Sequence, residues 1–138
     1  MTASVVVNAQ GSRPKNRASS LNNYEIIFSD YMNVDYTDRD GKVERLAFIY
    51  VPPRKLSRKR LDEISLRLRA KYSADDSMML IFGVDRHLIT KLIEPSDSDA
   101  EDNRKMKAIR GIYYFDRNSN RKELRYYPNG VTERDLEN

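Results

Sequence analysis

The sequence predicts a single α+β domain, in which a mixed or mostly antiparallel sheet of about five strands carries one long amphipathic helix on one face. Three observations carry this. Between Arg58 and Tyr72, the residues Leu61, Ile64, Leu68 and Tyr72 fall within an arc of about 80° at 100° per residue, the stripe of a helix that faces a core. Runs rich in β-branched and aromatic residues, bounded by turn formers, lie on both sides of that helix. The 138 residues, 39% of them hydrophobic, support one core of ordinary size, and a second would be too small to hold itself together.

Residues 1–22 mix Gly, Ser, Asn, Pro and Arg with little hydrophobic period, so a disordered tail is expected there, ahead of a domain over 23–130. Tyr24 to Tyr31 and Val43 to Val51 read as two strands of a hairpin, joined through the turn-rich Thr37-Asp38-Arg39-Asp40-Gly41. In the second strand both alternating sets are apolar, Leu46/Phe48/Tyr50 and Ala47/Ile49/Val51, which predicts a central strand covered on both sides. Pro52-Pro53 ends it, because proline cannot donate to a ladder.

Ser57 is an N-cap for the helix, and Leu56 and Leu61 occupy the positions of a hydrophobic staple. Leu66 falls on the side away from the stripe, and Glu63 is spaced to pair with Arg67. Met78 to Val84 is a continuous apolar run of strand length, suited to the middle of a sheet. Residues 88–93 fit a short helix by the spacing of Leu88, Ile89, Leu92 and Ile93, although their β-branched content also suits a strand. Asp97, Asp99, Glu101 and Asp102 are read as an acidic loop held open by its own repulsion. Ile109 to Asp116 and Lys122 to Tyr127 are two further strands about the turn Arg117 to Arg121, and 131–138 is expected to be a flexible C-terminal tail.

Charge is unevenly placed. The chain carries a formal +4, yet residues 54–71 hold eight basic residues against only Asp62 and Glu63. Arg58, Lys59 and Arg60 stand where the helix dipole is already positive, and Arg60 takes the place where a capping box has Glu or Gln. Cations set against the dipole, next to unpaired amides, predict an anion site at Arg54, Arg58, Lys59 and Arg60.

Catalytic patterns are missing. His87 is the sole histidine and Asp85-Arg86-His87 is no ligand spacing, so it reads as a surface residue at a strand end. The Asp116 loop lacks the glycine and final glutamate of a calcium loop. Asp40-Gly41-Lys42, the only nuclease-like carboxylate–lysine pair, sits in a turn. No glycine-rich phosphate loop or GxSxG is present. No enzymatic activity, catalytic residue, cofactor or metal site is therefore assigned.

With no cysteine there is no disulfide framework to fix the compartment, and no apolar run approaches the ~18 residues of a membrane helix. Ser4 to Val7 is too short for a signal-peptide core. The cytoplasm is the default expectation, with export open if a precursor was trimmed.

The leading expectation is a non-enzymatic interaction or accessory module whose partner is a protein, anchored by Leu66, Tyr113 and Tyr126, since Tyr is common in binding hot spots. The alternative is binding of an anion or single-stranded nucleic acid through 54–60. In that reading Tyr113, Tyr114, Phe115, Tyr126 and Tyr127, elsewhere in the chain, would stack bases while Arg110, Arg117 and Arg125 hold the backbone.

Tyr24-Glu25-Ile26-Ile27, Val51-Pro52, Leu56-Ser57 with Leu61 and Ile64, Leu80-Ile81-Phe82, and Gly111-Ile112-Tyr113 with Tyr127 to Gly130 together resemble a family of small bacterial α+β domains of unknown function, often exported. The resemblance spans about residues 24–130 and implies the same fold. It carries over no catalytic residue, and the basic start of the helix departs from the acidic start usual in that family.

Overall fold

Strand order follows from the connections. In the computed structural model, which describes residues 24–36 and 39–137, β1 (Glu25–Tyr36) and β2 (Arg39–Tyr50) are consecutive in the chain and pair as antiparallel neighbours. The return path through α1 (Arg58–Lys71) then brings β3 (Ser77–Gly83) alongside β2 in parallel. β4 (Ile109–Asp116) and β5 (Arg121–Tyr126) complete a mixed five-stranded sheet in the order β1-β2-β3-β4-β5. The expected α+β domain is therefore observed, with β3 at the centre and β2 between β1 and β3. The tail expected over 1–22 lies outside the described residues.

α1 begins as its sequence dictates. Ser57 is extended, and its side chain accepts from the backbone N–H of Arg60 at 3.0 Å. Leu61, Ile64 and Leu68 are fully buried against Ala47, Ile49 and Val51 of β2 with its C-terminal extension, Met78, Leu80 and Phe82 of β3, and Tyr113 of β4. Helix and sheet approach closely over β4: a Cβ on Gly111 would lie 2.5 Å from Leu61 Cδ1.

One polar clasp ties this layer together. The Arg45 guanidinium lies 4.4 Å from the ring centroid of Tyr31 and 4.0 Å from that of Tyr72, and it is ion-paired to Asp75. Tyr31 donates its hydroxyl to the same carboxylate at 2.6 Å, and Arg45 also reaches Ser29 Oγ. Burial weakens the Arg45 charge, but the Asp75 carboxylate outweighs it and raises its pKa above the ordinary arginine value.

Two sequence expectations are corrected beyond β3. The acidic run is not an open loop but the start of a helix, α3 (Asp99–Ala108), preceded by the short α2 (Arg86–Thr90). Ser98 caps α3 by accepting from Glu101 N–H at 3.1 Å, while Glu101 accepts from Asp97 N–H at 3.0 Å. Asp99, Glu101 and Asp102 then occupy the first turn, where negative charge is favoured by the dipole. His87 is exposed as expected, but it lies on α2 and not at a strand end. Residues 88–93 do contain helix, ending at Thr90, with turns over 91–93. After β5, Val131 is 4% exposed, its N–H donates to the Met106 carbonyl, and Glu133–Glu137 form a last short helix, α4.

Candidate interaction surface

Successive side chains of a strand point to opposite sides of a sheet, so the observed register sorts the apolar residues into two faces. One is the face sealed by α1. On the other, Phe28 stands beside Phe48, then Ile81, Ile112 and Arg125; the adjoining row is Asp30, Leu46, Met79, Tyr114 and Glu123. Phe28 and Phe48 contact at 5.1 Å between ring centroids, and Phe48 is buried. Leu46, Met79, Ile81, Ile112 and Tyr114 are only partly covered. The expectation that β2 is covered on both sides holds at its centre, where Ala47 and Ile49 on one side and Phe48 on the other are buried, while Leu46 and Tyr50 flanking Phe48 are only partly covered. α1, at 14 residues, is the longest helix of the described residues, and it covers one face.

At one end of the second face Gly83 forms a seat for α2. A Cβ there would lie 1.9 Å from Ile89 Cδ1 and 3.1 Å from the Ala108 carbonyl oxygen. The absence of a side chain lets Ile89 bury completely at the strand ends, and α2 stays beside β1 and β2.

The borders of the face differ in sign. Glu25 and Asp30 on β1 and Glu44 on β2 are acidic; Glu25 pairs with Arg86 at 2.7 Å and Glu44 accepts from Ser77 at 2.8 Å. Along β5, Arg121 and Arg125 flank Glu123 and both bind it, at 3.1 and 2.9 Å. Hydrogen bonds from Arg125 and Arg121 hold the Glu123 carboxyl below the usual carboxylate range.

The residues singled out from the sequence do not gather on this face or on any other. Tyr113, expected as a surface anchor, is 2% exposed and faces α1, because position 113 shares the pleat of Gly111 and Phe115. Among the described residues its hydroxyl has no hydrogen-bond partner; Arg69 stands near it without reaching bonding geometry. Burial pushes its phenol pKa up, against the opposing pull of the Arg69 cation. Tyr126 is half-buried on the same side, packed on the core. Leu66 is 53% exposed as expected, but it lies on the outer surface of α1, across the domain from the open face.

The basic helix start likewise does not converge. Arg58 turns toward β5 and donates to the Leu124 carbonyl at 3.3 Å, whereas Arg60 lies toward Glu63 and the Tyr24 flank. Arg54 and Lys59 are exposed. Residues proposed to hold a nucleic-acid backbone are engaged internally. Arg110 binds the Lys107 and Pro128 carbonyls, Arg117 the Ser73 carbonyl and Asp76, and Arg125 the Glu123 carboxylate. Phe115 and Tyr114 are covered by the Arg69 and Arg121 guanidinium groups at 4.1 and 5.1 Å.

A hollow of about 510 Å³ is floored by Leu92, Met106 and Ile109 and rimmed by Asp99, Asp102 and Glu133. Lys105 is held beside it by the Glu94 carbonyl at 2.8 Å and by Glu101. Among the described residues no group of three or more His, Cys, Asp or Glu side chains is arranged to hold a metal ion, and no helix is long and apolar enough to cross a membrane.

No family model, curated protein or solved structure matches the chain.

Proposed function

We propose that this protein is a non-enzymatic interaction module that engages a protein partner through the face of the sheet opposite α1. The observation that carries the reading is the pair of adjoining rows of partly covered apolar side chains, Leu46, Met79 and Tyr114 beside Ile81 and Ile112, facing away from α1. Apolar surface left in water is costly at roughly 25 cal/mol per Å², and a contiguous patch of it is what a protein partner covers. Phe28 and Tyr114, both partly covered, supply the aromatic content that interface centres favour.

The alternative, anion or single-stranded nucleic-acid binding at Arg54, Arg58, Lys59 and Arg60, has less support. Arg58 and Arg60 diverge to opposite flanks of α1, and the aromatic and basic side chains that would accompany them are occupied within the chain.

Photo-crosslinking tests the reading. A benzophenone amino acid in place of Met79 should give a discrete protein adduct in cells that express the chain, while the same group in place of Lys59 or Leu66 should not. Adducts confined to position 59, or none from position 79, would overturn it.

A further inference from the structure

We propose that the seam between α1 and the β4–β5 pair binds a phosphate group, held by Arg69, Lys122 and the Tyr113 hydroxyl. The site lies on the α1 side of the sheet, opposite the open face. It is also distinct from the basic helix start, since Arg69 follows Arg58 by about 16 Å along the helix axis.

Tyr113 carries a hydroxyl that the fold does not use. The residue is 2% exposed, and among the described residues its hydroxyl meets no hydrogen-bond partner. A buried polar group left in that state is destabilising, and a phenylalanine would pack in its place without the penalty. A ligand that accepts from the hydroxyl supplies what the fold withholds.

Two cations flank it. Arg69, in the last turn of α1, lies over the Phe115 ring at 4.1 Å, and Phe115 shares the α1-facing pleat of β4 with Tyr113. A guanidinium stacked on a ring keeps its N–H edge free, and among the described residues no acceptor takes that edge. Lys122 is the cross-strand neighbour of Phe115, so its side chain leaves β5 on the same side; it is exposed and has no acidic partner among the described residues. Arg58, Arg117, Arg121 and Arg125 nearby differ, each being bound to a carbonyl or carboxylate of the chain. Guanidinium, ammonium and hydroxyl thus offer donors from α1, β5 and β4. That is more than the two oxygens of a carboxylate use, and it suits the tetrahedral oxygens of a phosphate.

The opposing charge on this flank is Asp62. It precedes Arg69 by about 10 Å along the axis and is exposed, so solvent screens it, whereas the two cations touch the ligand directly. The helix dipole repels an anion beyond the end of α1, but the site lies beside the last turn and not on the axis. Arg69 is partly exposed, and drawing its guanidinium from the Phe115 ring onto the anion opens the way to the hydroxyl.

Titration of the full chain, followed through its amide resonances, decides this, with inorganic phosphate and phenyl phosphate as probes and acetate as control. Phosphate should shift the amides of 113–115 and 122 saturably, and acetate should leave them in place. Arg69→Gln and Lys122→Gln should each raise Kd about tenfold. Tyr113→Phe, which keeps every charge, should raise it about fivefold, the worth of one hydrogen bond, while melting no lower than the parent. Arg54→Gln, at the helix start, should bind like the parent. Lys122 is exposed, so Lys122→Gln stands alone if Arg69→Gln does not fold. Phenyl phosphate binding more tightly than phosphate identifies the phosphoryl group of an organic molecule as the occupant; equal binding identifies the free ion. No saturable shift below about 50 mM phosphate, a parental Kd in Lys122→Gln or Tyr113→Phe, or an equal loss in Arg54→Gln would each overturn the proposal. None of these results bears on the opposite face, which the crosslink at position 79 tests separately.

Discussion

Ile89 occupies the space that any side chain at position 83 would need: its Cδ1 lies 1.9 Å from where a Gly83 Cβ would be. That contact anchors α2 at the end of the open face and fixes where the face stops. Gly83→Ala should therefore destabilise the domain by about 1–3 kcal/mol through overpacking. Combined with Ile89→Ala, the loss should be smaller than the sum of the two single changes, because the second substitution removes the clash. Denaturant melts of the four-member cycle measure the coupling.

The orientation of α1 makes a second prediction. Leu61→Ala or Leu68→Ala should cost about 2–4 kcal/mol by opening a cavity, and Leu66→Ala under about 1 kcal/mol. Equal losses at Leu66 and Leu68 in urea melts would contradict the observed burial, in which Leu68 is 0% and Leu66 53% exposed.

Tyr113 offers a test by pH. Its hydroxyl is buried without a partner among the described residues, so Tyr113→Phe should stabilise the domain by up to about 1 kcal/mol. Burial raises the pKa of Tyr113 and of Tyr24 above the ordinary phenol value of about 10. A raised folded-state pKa means stability that is whole below about pH 10 and is lost as pH rises toward the folded value. The alkaline loss, followed by circular dichroism, should be smaller in Tyr113→Phe than in the parent.

The Arg45 clasp should be costly to break on one side only. Side-chain exposures of 14% for Arg45 and 8% for Asp75 leave either charge stranded if the other is removed. Asp75→Ala should cost about 3 kcal/mol or more, and Arg45→Leu with Asp75→Leu should cost less than Asp75→Ala alone. Equal costs in thermal melts would show that the pair contributes nothing beyond packing.

Much of this architecture is legible in the residues. The cap at Ser57, the stripe Leu61, Ile64 and Leu68, and the apolar run at Met78 to Val84 place α1 and β3 because each signal is local. α3 is legible too, in the capping-box spacing of Ser98 and Glu101, but the acidic run around it suggests repulsion unless the helix dipole is weighed against it. The burial of Tyr113 is hidden for a different reason. Tyr113, Tyr114 and Phe115 are alike in composition, and only the register of β4 on β3 decides which of them points at α1. The open face carries one countable sign: Leu46/Phe48/Tyr50 and Ala47/Ile49/Val51 make two apolar faces, and the sequence supplies one long amphipathic helix to cover them. Which face that helix takes is a tertiary choice that neither set of side chains reveals.

The central claim, one sealed face and one open one, is tested most directly by two neighbouring methionines. Met78 is 1% exposed under α1 and Met79 points to the opposite side among partly covered residues. Oxidation of methionine follows exposure, so limited peroxide treatment of the purified chain should convert Met79 to its sulfoxide well before Met78. Mass spectrometry of the peptide containing both residues reads the order. Faster oxidation of Met79 is the predicted result; equal, slow oxidation of both would show that the second face is covered by the chain itself and would contradict the account.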